Sequence, residues 1–191
     1  DGVRVNEAGE PLTLEVATVA GWSDWVRAAQ LIANDLGSVG IQARIRSHDF
    51  SAWFERLQRG EFELSIGWTV DGASPYAHYR HMMANSLVKP VGDIASLNWH
   101  RYGTADAESL LDRWAASADP EAQRGFAHAL QDAFNREVPA VPLFLNPSWG
   151  ECSTRRFTGW PSPDNPYARL SPNHGAESLL VMTQLTPVVA P

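Results

Sequence analysis

The stretch that decides the fold is LTLEVATVAGWSDWVRAAQLIANDLGSVGIQARIRSHDFSAWFERLQRGEFELSIGW, Leu12 to Trp68. It opens on LTLEVATVA, where Leu12, Leu14 and Val16 alternate in a β-rich run, and this reads as a strand. Trp25, Ala28, Ala29, Ile32 and Leu36 then recur at helical spacing, with Ser23 placed as the N-cap. Gly37 and Gly40 punctuate, and IQARIR (Ile41–Arg46) alternates as a second strand. Ser51 to Arg59 is a short helix that buries Trp53, Phe54 and Leu57 and stops at Gly60. FELSIGW (Phe62–Trp68) is a third strand. The order β-α-β-α-β builds a parallel sheet covered by helices, so the expected class is α/β, a mixed but mostly parallel sheet flanked by helices.

Working outward, a helix is expected from about Asp106 to Ala116, with Leu110, Leu111 and Trp114 on its apolar face. The next begins with Asp119 as N-cap and Pro120 in the first helical position, and Phe126, Leu130 and Phe134 line it at i, i+4, i+8. AVPLFL (Ala140–Leu145) reads as a late strand. From Pro147 the chain turns aromatic and Pro-rich, PSWGECSTRRFTGWPSPDNPYARLSP, with little periodicity, and reads as a long structured loop. The expected division is therefore 1–147 as the α/β lobe and 148–191 as an aromatic, Pro-rich segment.

Composition narrows the function. The chain has 191 residues, 44% hydrophobic and 19% charged, which suits a folded domain. A formal net charge of −7 without a Lys/Arg cluster argues against nucleic acid as a partner. One cysteine, Cys152, excludes an intrachain disulfide and a Cys-based zinc site. No apolar run is as long as a membrane span. The chain begins on Asp1 rather than Met, which suggests a piece of a longer protein. G-x-S-x-G, P-loop, G-x-G-x-x-G and H-E-x-x-H patterns are missing, so no cofactor, metal or catalytic set is expected. His78 and His81, three apart in HYRH, have no third ligand at diagnostic spacing and are expected at the surface.

Eight Trp are more than a core of this size usually requires. In an open α/β sheet, ligands bind beyond the carboxyl ends of the strands. Trp22 follows the first strand, and Trp68 and Asp71 lie at and past the third, so parallel topology brings all three to one rim. Each has a second reading. Trp68 shares parity with Phe62, Leu64 and Ile66 and also fits a core face. Asp71 before Gly72 also fits a turn. Trp22 also fits a hydrophobic staple ahead of the helix. Trp53 and Trp114 are expected in the core.

Three segments, EVATVAGWSDWVRAAQLIANDLGSVGIQARI, GEFELSIGWTVDGASPY and REVPAVPLFLNPSWGECSTRRFTGWPSPDNPYA, resemble in order the C-terminal part of family 5 bacterial solute-binding proteins, the oligopeptide/dipeptide-type receptors of ABC importers. The resemblance implies a two-lobed protein of well over twice this length that closes over its ligand, and a C-terminal segment returning toward a missing N-terminal lobe. It implies an extracytoplasmic or periplasmic location, free or lipid-anchored, ABC permease subunits as partners, and no chemistry of its own. Gly67, Trp68 and Asp71 match the position where peptide-binding members hold the ligand's α-amino group with a carboxylate, a strong charge-assisted bond when desolvated. GWSDW and FTGWPSPDNPYA look more like the subgroup that binds oligosaccharides, whose C–H faces suit Trp planes. On this likeness Trp149 and Trp160 join Trp22, Trp68 and Asp71 as expected ligand contacts, and the ligand is an oligosaccharide or a peptide. The alternatives are a glycan-processing enzyme using Asp71 with a second carboxylate, and a ligand-sensing module on the same fold.

Overall fold

The structure is a computed structural model that describes residues 2–70, 74–145, 150–171 and 174–188. The chain divides into two compact units, Asp1–Val141 and Pro142–Pro191.

The first unit is built on a three-stranded parallel sheet: β1 (Thr13–Val19), β2 (Gln42–His48) and β3 (Leu64–Ser65), in the order β2-β1-β3. β1 and β2 are in register from Thr13↔Gln42 to Val19↔His48. β1 is central, and its last four residues, Val16 to Val19, are all buried, as a parallel strand covered on both faces must be. α1 (Ser23–Ser38) and α2 (Phe50–Arg59) are the crossover helices. α1 buries Trp25 and Ala29, α2 buries Trp53 and Leu57, and these join Val16, Ala17, Val19, Ile66, Ala95 and Trp99 in one apolar core. The Trp53 indole donates to Ser65 Oγ at 3.1 Å, so the largest buried ring in α2 is also tied to β3.

A second core in the same unit packs α3 (Tyr76–Met83), α4 (Ala105–Ala116) and α5 (Pro120–Glu137) around Met83, Leu111, Trp114, Leu130 and Phe134. Asp119 caps α5 through Glu121 N–H, with Pro120 in the first turn, as the sequence required. Asn98, fully buried at φ 52°, donates to the carbonyls of Ala84 and Tyr102 and accepts from Tyr102 N–H. It clamps the loop that carries Trp99 against the end of α3.

The second unit holds α6 (Gly175–Gln184) and a short antiparallel pair, β4 (Phe157–Thr158) with β5 (Thr186–Pro187). Arg169 pairs with Glu177 at 2.8 Å, and the Tyr167 hydroxyl donates to Gly159 O at 2.6 Å.

Three expectations are corrected. Ser23 is the first residue of α1, and the N-cap is Trp22, with no side-chain hydrogen bond. AVPLFL forms no strand: Pro142 lacks an N–H, and Val141, Leu143, Phe144 and Leu145 are exposed with no ladder partner among the described residues. Past the stretch read as a long loop lies α6, an apolar helix whose Leu179, Leu180 and Met182 are exposed. His81 is not a surface residue; it is 1% exposed, because α3 turns it inward onto Trp99.

Candidate functional site

Parallel strands end on the same edge, and here each strand is followed at once by an aromatic residue. Trp22 comes three residues after the end of β1, Phe50 two after the end of β2, and Trp68 three after the end of β3. The three are 38%, 45% and 38% exposed, large values for such rings. Trp22 and Phe50 lie 5.8 Å apart between centroids, Phe50 and Trp68 6.4 Å, and Trp22 and Trp68 6.4 Å. Phe50 and Trp68 are inclined by only 8°, and half-buried Phe54 lies near parallel to both, at 11° and 17°. The result is a cluster of nearly parallel, partly exposed rings.

Buried rings support this rim. Trp25 meets Trp22 edge-on at 4.7 Å, Trp53 lies 5.2 Å from Trp68, and Trp99 stands at 83° to Trp68, 5.5 Å away. Each such pair adds roughly 0.5–1.5 kcal/mol beyond burial and holds its partner in one pose. The helix cap is sacrificed to this arrangement. Trp22 occupies the position where Ser, Thr, Asp or Asn would satisfy an α1 N–H, whereas α2 has the ordinary solution, Asp49 accepting from Ala52 N–H at 3.1 Å.

Next to the rim lie three histidines. His78 Nδ1 is 3.0 Å from Thr69 Oγ1, one residue past Trp68. His100 Nε2 is 2.8 Å from Met82 O. Burial lowers the pKa of both, and for His100 the Met82 contact opposes it. His81 is pushed down to about 4, first by burial and then by His100 and His78.

Of the residues expected at the site, Trp22 and Trp68 are thus together on the rim. Asp71 and Trp149 lie outside the described residues. Trp160 belongs to the second unit, half-buried, its indole donating to Phe157 O at 3.2 Å. Sequence reasoning missed Phe50, taken as the residue before a helix that began at Ser51. The signal was available: it follows β2 as Trp22 follows β1. No three His, Cys, Asp or Glu among the described residues are grouped to hold a metal ion. No helix among them is long and apolar enough to cross a membrane.

Parallel sheet and crossover helices give this chain a periplasmic-binding-protein-like fold. The chain is similar to a Thermotoga maritima periplasmic oligopeptide-binding protein of an oligopeptide ABC transporter. The mannohexaose-bound form matches with TM-score 0.85 at 24% identity, over 98% of this chain and 37% of that one. A second structure of that protein matches with TM-score 0.82 at 26% identity, over 98% and 36%. Di/tripeptide-binding protein 4 of Pseudomonas aeruginosa is 28% identical over 117 residues, 61% of this chain and 21% of the relative. Di/tripeptide-binding protein 2 of the same organism is 26% identical over 153 residues, 78% and 27%. No family model matches. The chain therefore spans between about a fifth and two fifths of the length of the proteins it resembles. These relatives and neighbours are binding proteins, not enzymes, and the Thermotoga protein is periplasmic by name.

Proposed function

We propose that this chain is the ligand-capturing lobe of the substrate-binding component of an ABC-type importer. The observation that carries the reading is the delivery, by each of three parallel strands, of one exposed aromatic ring to a common edge. Flat, preorganised apolar rings take up the C–H faces of pyranose units at little entropic cost. An oligosaccharide is accordingly the first ligand of the proposal. A short peptide is the second, supported by the di/tripeptide-binding relatives. In either case Asp71, three residues on from Trp68 in the sequence, is the proposed polar anchor. The ligand lies in a cleft between this lobe and a second one, and closure presents a surface to the permease subunits. The work is done outside the cytoplasm, by a protein free or held by a lipid anchor, and involves no bond-making on the ligand.

Calorimetric titration of the longer protein with manno- and cello-oligosaccharides and with di- and tripeptides tests this. One class is expected to bind, and Trp68→Ala to weaken it about tenfold. Asp71→Asn separates the classes. The asparagine keeps an acceptor oxygen but not the charge, so an ammonium-bearing ligand weakens on the order of a hundredfold and a sugar by about tenfold or less. Binding of neither class, or release of reducing ends from a bound glycan, contradicts the proposal.

A further inference from the structure

Beneath the rim is a titratable cluster that contacts the rim's support and not its exposed faces. His81 of α3 is buried, and neither Nδ1 nor Nε2 has a hydrogen-bond partner among the described residues. Its ring stands at 86° to Trp99, 4.8 Å between centroids. The Trp99 indole N–H is likewise without a partner. The other rings against Trp99 are those of Trp68, at 5.5 Å, and Phe54, at 6.1 Å. Trp99 is thus a strut with a histidine at one end and the rim at the other.

Among the described residues, the charged surroundings of His81 offer no counter-ion. On α3 itself, His78 is held to Thr69, and Arg80 is exposed. From the loop before α4, His100 is held to Met82 O, and the Arg101 guanidinium is occupied by the carbonyls of Trp99, Gln58 and Asp93. From α4, the Glu108 carboxylate accepts from Ser86 N–H. From α5, Arg136 and Glu137 pair with each other at 3.0 Å and act on Tyr102. The groups that act electrostatically on His81 are His100 and His78, both of which become positive in acid. A charged imidazole in this enclosure gains no acceptor among the described residues and loses its hydration.

We propose that His81 is a proton-operated latch for the aromatic rim: neutral, it holds Trp99 against Trp68 and Phe54, and protonated, it leaves its enclosure, frees Trp99 and dismantles the parallel rings. The latch stands on side-chain geometry. Its consequence, release of ligand in acid, rests on the function proposed above.

The test needs no ligand, so its failure is distinguishable from failure of the solute-binding reading. Near-UV and far-UV circular dichroism of this 191-residue chain is followed from pH 7.5 to 3.5. The wild type is expected to lose its aromatic band while helical signal persists. His81→Met fills the same space without a titrating group, and because no hydrogen bond is lost it is expected to fold. In it the loss moves down by about one pH unit or more, or vanishes. An unchanged midpoint overturns the latch. If that variant does not fold, nuclear magnetic resonance of the wild type decides. The His81 imidazole and the Trp68 and Trp99 indole N–H signals are expected to titrate together, and separate midpoints overturn the proposal.

Discussion

His81 is buried with neither ring nitrogen hydrogen-bonded among the described residues. Its pKa is lowered by burial and by two neighbouring imidazoles from the ordinary 6.5 to about 4. The sign follows. Between those values the unfolded chain binds a proton that the folded chain refuses, so His81 adds no penalty above about pH 6.5 and the fold loses stability as pH falls toward 4. Urea unfolding at pH 7.5, 5.5 and 4.5 is expected to show a falling midpoint, and His81→Met to recover much of the difference. This residue was not legible in the sequence, because HYRH at i, i+3 looks the same inside and outside. What buries it is Trp99, eighteen residues away, and no local period reports such a partner. Trp22 and Trp68 were legible, because strand order alone sends residues past β1 and β3 to one edge.

Among the elements, α2 shows how a short helix is held in place. Its C-cap Gly60 is left-handed at φ 69°, and a Cβ there would run into the Arg101 guanidinium. That guanidinium donates to Gln58 O at 2.9 Å and Asp93 O at 3.0 Å, fastening the helix end to the following loops. Gly60→Ala combines backbone strain with a displaced clasp and is expected to cost about 2 kcal/mol. Gly125 makes the opposite case. It lies inside α5, where an added Cβ meets nothing within 4 Å. Gly125→Ala is expected to stabilise by about 0.5–1 kcal/mol. Chemical denaturation of the two variants beside wild type checks both signs. The sequence announced α2 and α5 through Gly60, Asp119 and Pro120, whose effects are local. It misled at AVPLFL, because an apolar run becomes a strand only where a neighbouring backbone offers a ladder.

For the molecule as a whole, the β-α-β-α-β order was readable because strand and helix periods and the glycines agreed from Leu12 to Ser65. The rule is broken at Trp22, where an aromatic ring stands in place of a helix cap, and local preference tends to yield in this way at functional positions. That position, with Phe50 and Trp68, carries the central claim that the carboxyl edge of the sheet holds a solute. The most direct measurement is nuclear magnetic resonance of the tryptophan indole N–H groups during titration with manno- or cello-oligosaccharides and with tripeptides. Trp114, buried in the second core with Leu111 and Phe134, serves as the internal control. Saturable shifts of Trp22 and Trp68, with Trp114 still, are the predicted result. No shift with any of these ligands, or shifts at Trp114 that match those at the rim, would contradict the account.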